Sequence, residues 1–174
     1  MGMKRATLII LKTFVVVFFS MFLFNELSGP RMSSADFGVV EKNVMKKMAA
    51  FHLEKQQRQA IKKNLAIDSS NYENIEYYKA NDPMDVREIV IVKFKDTSQG
   101  DAFKKAMQDR VDAQIHAFDG YGVEQVGLLK KAVISVDMNY AIYVTCDKAN
   151  DVVSLYKEQL LSLIHISEPT RLRC

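Results

Sequence analysis

The chain has few of the residues that usually form covalent links, metal sites or catalytic centres. Its 174 residues contain no tryptophan, three histidines and only two cysteines, Cys146 and Cys174. Two cysteines cannot build the disulfide framework of a small secreted domain or a cysteine-rich zinc site. His52 and His116 stand far apart, without the spacing of metal ligands. The sequence therefore predicts no metal and no cofactor.

Catalytic signatures are missing as well. No serine, cysteine or histidine is placed with a base and an orienting group, and neither a phosphate-binding glycine loop nor an H-E-x-x-H motif occurs. Asp82 and Asp85 form a carboxylate pair, but they lie beside Pro83 in a turn, where aspartate is common for structural reasons. We therefore expect a protein that is not an enzyme.

Residues 161–174 differ in character from the segment before them. Residues 151–160 have the spacing of an amphipathic helix, and the letters LSLIHISEPTR then follow without a helix stop. This stretch resembles a translated sequencing adapter, so we interpret 161–174 as a non-native tail. A natural amphipathic C-terminal segment is the alternative. Without the tail, Cys146 is left as a single buried thiol and the native sequence is expected to end near Leu160.

The N-terminus combines a basic start with a long apolar run. Lys4 and Arg5 precede residues 6–24, whose 19 residues carry one charge, Lys12. A helix of this length measures roughly 28 Å, close to the thickness of a bilayer's hydrocarbon core. We therefore predict a membrane anchor in residues 1–30, formed by an uncleaved transmembrane helix. The alternative is a cleaved signal peptide and a secreted domain, although the only cleavage site is a poor one.

The following segment, residues 31–160, carries no excess of either charge. It contains 19 Lys and Arg and 19 Asp and Glu, so its formal net charge is zero. The positive-inside rule retains the basic flank of the anchor in the cytoplasm, which predicts that this domain lies on the extracytoplasmic side of the cell membrane. A neutral, exported domain offers no basic surface for nucleic acid.

Hydrophobic spacing predicts several helices in this domain. Apolar residues recur at helical spacing over 37–51, with Ser34 as the expected N-cap, and over 103–118, where Ser98 and Asp101 resemble a capping pair. Shorter or more polar helices are predicted over 56–65, 124–130 and 148–160.

Four strands are predicted between these helices. Residues 87–95, REIVIVKFK, are apolar on both faces, so this strand is expected at the centre of a sheet that is covered on both sides. Residues 72–79 precede it across a turn, and residues 132–136 and 140–146 form a second hairpin with Asn139 in a left-handed conformation. We predict an α+β fold in two layers, a mostly antiparallel four-stranded sheet of two hairpins packed with helices.

Three stretches resemble a bacterial protein family: DVREIVIVKFKD, DRVDAQIHAFDGYGVEQVGLL and MNYAIYV. Over about residues 37–160 the chain is similar to domain of unknown function 4358, through the series Glu88, Arg110, Gln114, Phe118, Tyr121, Gln125, Asn139 and Tyr140. The resemblance implies a small exported or lipid-anchored protein of a Gram-positive bacterium, and no particular activity. The chain departs from the family at Met138, where glycine is usual, near Val123, where proline is frequent, and in lacking the cysteine that carries a lipid.

The polar residues of this series are the candidate site. Arg110 and Gln114 lie one helical turn apart beside the apolar stripe, and Glu88 heads the central strand, where it can pair with the arginine. Tyr121 and Gln125, in the following loop, are expected to complete a polar cluster. Two interpretations are open. These residues either fix the helix to the sheet or form a shallow site for an anionic or peptide ligand.

These expectations combine into one functional hypothesis and one alternative. We expect a membrane-anchored, extracytoplasmic module of a bacterial cell envelope that binds an envelope protein or the cell wall without catalysis. The alternative is a sensor or carrier of a small anionic ligand or peptide, with its site around Arg110.

Overall fold

The computed structural model of the chain describes Lys12, residues 14–22 and residues 32–162. The chain divides into two compact units, Met1–Arg31 and Met32–Cys174. In the first unit residues 14–22 are helical, and their phenylalanine, valine and methionine side chains are more than half exposed. No helix among the described residues is long and apolar enough to cross a membrane. The predicted anchor extends beyond the described residues at both ends, and most of the predicted tail lies outside them.

The second unit alternates helices and strands in an α+β succession. In chain order its elements are α1 (Phe37–Met48), β1 (Glu54–Lys55), α2 (Arg58–Leu65), β2 (Asn74–Lys79), β3 (Glu88–Lys93), α3 (Gln99–Phe118), α4 (Val123–Leu129), β4 (Val133–Asp137), β5 (Tyr140–Thr145) and α5 (Ala149–Ser162). Short 3-10 turns follow α1 and precede β2.

The strands form one antiparallel sheet in the order β1-β2-β3-β5-β4. The prediction of four strands was wrong, because β1 adds a fifth at the edge of β2, where Glu54 pairs with Lys79 and Lys55 with Tyr78. A strand of two charged residues has no apolar alternation, so hydrophobic spacing could not reveal it. The two predicted hairpins are present, and they join where β3 pairs with β5.

Helices cover both faces of the sheet. On one face, here called the α1–α5 face, these two helices pack over Ile89 and Ile91 of β3. On the other face, here called the α3 face, the three helices α2, α3 and α4 pack over Val90 and Val92 of β3. The fold therefore has three layers rather than the predicted two. The alternation of apolar side chains between the two faces confirms the prediction that β3 is a central strand covered on both sides. Each fully buried valine or isoleucine contributes about 1.5–3 kcal/mol to the stability of the fold.

Two helix starts differ from the prediction. Helix α1 is capped by Asp36 and not by Ser34, because Asp36 directly precedes the helix and its Oδ1 accepts from the Val39 N–H at 3.0 Å. Ser98 makes no side-chain cap bond to α3, since its own backbone is already helical. Instead, Asp96 Oδ1 accepts from the Ser98 N–H at 2.8 Å.

The β4–β5 turn also differs in detail. The left-handed residue is Met138, at φ +59°, and not Asn139. Asn139 is buried, and its Oδ1 accepts from the Ser33 N–H at 2.7 Å, so this side chain fastens the start of the domain to the turn. A side chain at φ above zero is strained, so Met138 occupies the position that glycine suits best.

Candidate functional site

Glu88 places a carboxylate in the protein core. It is the first residue of β3, and its side chain is 2% exposed. Alternation along the strand directs Glu88 to the same face as Val90 and Val92, beneath α3. Because a charged side chain is almost never buried without partners, its neighbours decide what this carboxylate can do.

Arg110 forms an ion pair with Glu88 from the facing helix. It lies between Met107 and Val111 on α3, both of which are buried against the sheet. Its Nε donates to Glu88 Oε1 and its Nη2 to Glu88 Oε2, each at 3.1 Å, which is the bidentate geometry of the strongest pairs. Burial lowers the pKa of Arg110, but the hydrogen bonds and charge of Glu88 outweigh it, so this pKa is raised above its ordinary value.

Three further side chains donate to the same carboxylate. The Tyr77 hydroxyl donates to Glu88 Oε2 at 2.6 Å, and the Tyr143 hydroxyl donates to Oε1 at 3.0 Å. The Gln114 amide fits in the orientation in which Nε2 donates to Glu88 Oε1 at 3.0 Å and its oxygen accepts from Arg110 Nη2 at 3.1 Å. These five residues are called the Glu88 cluster below.

The two phenols act as neutral donors. Burial, followed by the negative charge of Glu88, raises the pKa of both Tyr77 and Tyr143. The Tyr143 hydroxyl also accepts from Thr145 Oγ1 at 2.8 Å, and Tyr77 is hydrogen-bonded to Asn64. The hydrogen bonds of the cluster therefore connect β2, β3 and β5 with α2 and α3.

The carboxylate of Glu88 is saturated from within the protein. A carboxylate offers about four lone-pair sites, and the guanidinium, two phenols and an amide all donate to them. A carboxylate held in this way cannot accept a proton from a substrate without losing one of these bonds. The geometry favours the structural interpretation, in which the Glu88 cluster fastens α3 to the sheet.

Tyr121 and Gln125 make their contacts elsewhere. Tyr121 is 64% exposed, and its ring packs on that of Phe118 with 5.6 Å between centroids. Gln125 Nε2 donates to the Met84 carbonyl at 3.1 Å, which ties α4 to the β2–β3 turn. Of the five predicted site residues, the structure thus brings Glu88, Arg110 and Gln114 together, whereas Tyr121 lies in the turn between α3 and α4 and Gln125 lies in α4.

A groove lies on the solvent side of Arg110. It has a volume of about 390 Å³ between α2 and α3, and its lining includes Asn64, Lys105 and Asp109. The Arg110 side chain remains 20% exposed there. Arg110 therefore contacts the buried carboxylate through its guanidinium and also contributes to the lining of this groove.

The described residues hold no metal centre. No group of three or more His, Cys, Asp or Glu side chains among them could bind an ion. Cys146 is buried, and burial raises the pKa of its thiol, which keeps it protonated and unreactive.

Sequence reasoning missed three members of this network: Tyr77, Tyr143 and Thr145. Tyr77 and Tyr143 both stand opposite Val90, on β2 and β5, and Thr145 stands opposite Glu88 itself. Strand parity places all of them on the α3 face once the register is known. The sequence therefore contains a signal for these three residues in their strand parity, but using it requires knowledge of which strands flank β3.

The fold and this site define a three-layer α+β domain whose central strand carries a buried carboxylate paired with a helix arginine. A family model for Domain of unknown function (DUF4358) matches residues 46–146, and the chain belongs to this family. The matched segment contains all five strands and the whole Glu88 cluster, but only the last turn of α1 and nothing of α5. No curated protein and no solved structure matches the chain.

Proposed function

We propose that the protein is a non-enzymatic, membrane-anchored module of a bacterial cell envelope, whose body binds an envelope protein or the cell wall. The observation that carries the proposal is that the Glu88 carboxylate is fully hydrogen-bonded within the Glu88 cluster. The charge and hydrogen bonds of this cluster hold the core of the fold together, so the surface of the domain is the part that would contact a partner.

The membrane part of the proposal depends on the N-terminal sequence. The apolar run over 6–24 follows basic residues, and the described helix at 14–22 exposes Phe14, Phe18 and Phe22, each by more than half. Contiguous aromatic exposure of this kind suits a lipid environment rather than water.

Two reporter fusions test the proposed location of the domain. Alkaline phosphatase folds only outside the cytoplasm and green fluorescent protein fluoresces inside it, so each is fused after Leu160 in the full chain. We expect phosphatase activity in the membrane fraction and no fluorescence. A control that lacks residues 2–30 should reverse both signals. Fluorescence from the full-length fusion would contradict the proposed location.

Crosslinking in intact cells tests the binding role. The full chain and a control with residues 1–31 fused to an unrelated domain are captured from solubilised envelopes. We expect an envelope protein or cell-wall glycan to be recovered with the full chain alone. Equal recovery with both would mean that the body of the protein contributes nothing to binding.

A second candidate function has one observation in its favour, the groove beside Arg110. In this alternative the protein is a sensor or carrier of a small anionic ligand or peptide, with Lys105 and Arg110 supplying the positive charge. A ligand at 100 times its Kd adds about 2.7 kcal/mol of stability. Phosphate, dicarboxylates and an acidic peptide serve as probes in thermal unfolding.

If this alternative holds, one probe raises the Tm and Lys105→Ala abolishes the shift. Lys104→Ala is the matched control, because Lys104 is the neighbouring lysine on α3 but does not line the groove. An unchanged Tm with every probe would remove the alternative and leave the structural role of Arg110.

A further inference from the structure

The strand β4 forms an open edge of the sheet. Among the described residues its one strand neighbour is β5, and the pairing is continuous over all five residues of β4. Asp137 and Tyr140 face each other across the two-residue turn, so the odd-numbered residues of β4 exchange hydrogen bonds with β5. The N–H and C=O groups of Ile134 and Val136 therefore point away from β5, in the plane of the sheet and toward its open edge.

This edge has few of the features that usually block strand pairing. Natural edge strands carry charges, proline or a bulge, whereas β4 has a charge only at its last residue, Asp137, contains no proline, and pairs with β5 without a bulge. Every residue of β4 is at least partly exposed, and Val136 is 38% exposed. The opposite edge is protected, because β1 covers one end of β2 and Lys55 pairs there with Glu76 at 2.8 Å.

We propose that β4 pairs antiparallel with β4 of a second copy of this chain, about a two-fold axis at Ser135. In this register Ile134 of each copy faces Val136 of the other, and these two residues supply the outward N–H and C=O groups. Ser135 faces its own counterpart as a non-hydrogen-bonded pair. The two sheets then continue as one across the interface.

The two copies are complementary in this register. On one face, Ile134 and Val136 make two symmetric apolar pairs across the interface. On the other face, Asp137 lies opposite Val133 of the second copy, and its charge is already compensated within its own chain, where it accepts from Ser135 Oγ at 2.6 Å and pairs with Lys157 at 3.5 Å. The centred register also pairs more of β4 than a shifted one, so it is the arrangement that the strand fits best.

Disulfide trapping tests this pairing on the full chain. Cys174→Ser removes the tail thiol, Cys146 is buried, and Ser135→Cys then adds one thiol at the proposed axis. Non-hydrogen-bonded partners lie about 4.5 Å apart at Cα, which a disulfide spans. We expect mild oxidation to convert the Ser135→Cys chain into a covalent dimer.

Two further variants test the register and the edge. Val133→Cys is the register control, since Val133 faces Asp137 of the second copy and should not link to itself. Val136→Lys, added to Ser135→Cys, replaces both apolar pairs, and the association constant should fall about tenfold. Circular dichroism of each variant checks that the fold is retained.

The result that supports the pairing is a dimer that forms with Ser135→Cys, is weak with Val133→Cys and is suppressed by Val136→Lys. Equal crosslinking of Ser135→Cys and Val133→Cys would mean random collision and would overturn the proposal. So would the absence of a dimer from a folded Ser135→Cys chain, as expected if a strand of a different protein pairs with this edge.

Discussion

The two faces of the sheet are built from the same strands but held in different ways. The α1–α5 face is apolar, with isoleucines and valines of β3 and β5 packed against two helices. Of its two fully buried phenols, Tyr140 donates to the Ala35 carbonyl at 2.6 Å, and the Tyr156 hydroxyl finds no hydrogen-bond partner among the described residues. The α3 face encloses an ion pair and two phenols that all meet at Glu88.

This difference indicates that burying apolar area and fixing the position of a helix are two separate contributions to the fold. Apolar contacts tolerate small shifts of a helix, because area is lost gradually as the side chains move. A bidentate ion pair tolerates very little, since a displaced arginine leaves a carboxylate buried and unpaired. We infer that the Glu88 cluster fixes the position of α3 on the sheet. The family match includes every element of the α3 face and little of the helices on the other.

The largest effect is expected from Arg110→Met. Methionine fills a similar volume and suits a helix, but it leaves the Glu88 carboxylate uncompensated in the core. We expect a loss of about 3–5 kcal/mol in the free energy of unfolding, measured by urea denaturation. Lys105→Met on the same helix is the control and should cost less than about 0.5 kcal/mol, because Lys105 forms only an exposed pair with Asp109. Similar losses in the two variants would contradict the account.

A matched pair of hydroxyl deletions compares the two faces directly. Tyr77→Phe removes a hydrogen bond to a buried charge on the α3 face and should cost about 1.5–3 kcal/mol. Tyr156→Phe removes a hydroxyl without a partner on the α1–α5 face, so it should be neutral or slightly stabilising. Thermal unfolding of both variants gives the comparison, and an equal loss on both faces would remove the distinction drawn here.

Alkaline pH should weaken both faces. Burial raises the pKa of Tyr143 on one face and of Tyr156 on the other, so each phenol holds its proton more tightly in the folded state than in the unfolded chain. The stability this provides is complete below the unfolded pKa of about 10 and is lost as the pH rises above it. Each buried tyrosine should cost about 1.4 kcal/mol per pH unit there. Phenolate absorbance should rise together with unfolding, and ionisation of these tyrosines in the folded protein would contradict this.

The smallest effect is expected at the β4–β5 turn. Met138→Gly removes the strain of a side chain at a left-handed backbone position. We expect it to stabilise the protein by about 1 kcal/mol after subtraction of the entropy that glycine loses on folding. Met138→Ala keeps the Cβ and should bring no gain. A difference of about 4 °C in Tm between the two is expected for a domain of this size.

Much of the fold could be predicted from the sequence where the signal is local. The apolar stripe of α3 and the two-sided strand REIVIVKFK predicted elements that the structure contains, and Glu88 and Arg110 were predicted as partners. The rest depends on residues distant in sequence. Strand β1 is too short and polar to have a periodic pattern, and Tyr77 and Tyr143 reach Glu88 only because β2 and β5 flank β3. The turn was predicted with Asn139 in the left-handed position, but Met138 occupies it, and the Asn139 side chain is instead bonded to Ser33, a contact distant in sequence that no local pattern records.

A double-mutant cycle between Glu88→Gln and Arg110→Met tests the central claim most directly. Glutamine keeps an acceptor for the two phenols but removes the charge, so the double variant no longer buries an unpaired carboxylate. The account predicts that the double variant is more stable than the sum of the two single losses implies, by about 2 kcal/mol. Losses that add to within about 0.5 kcal/mol would contradict it, because Arg110 and Glu88 would then act independently.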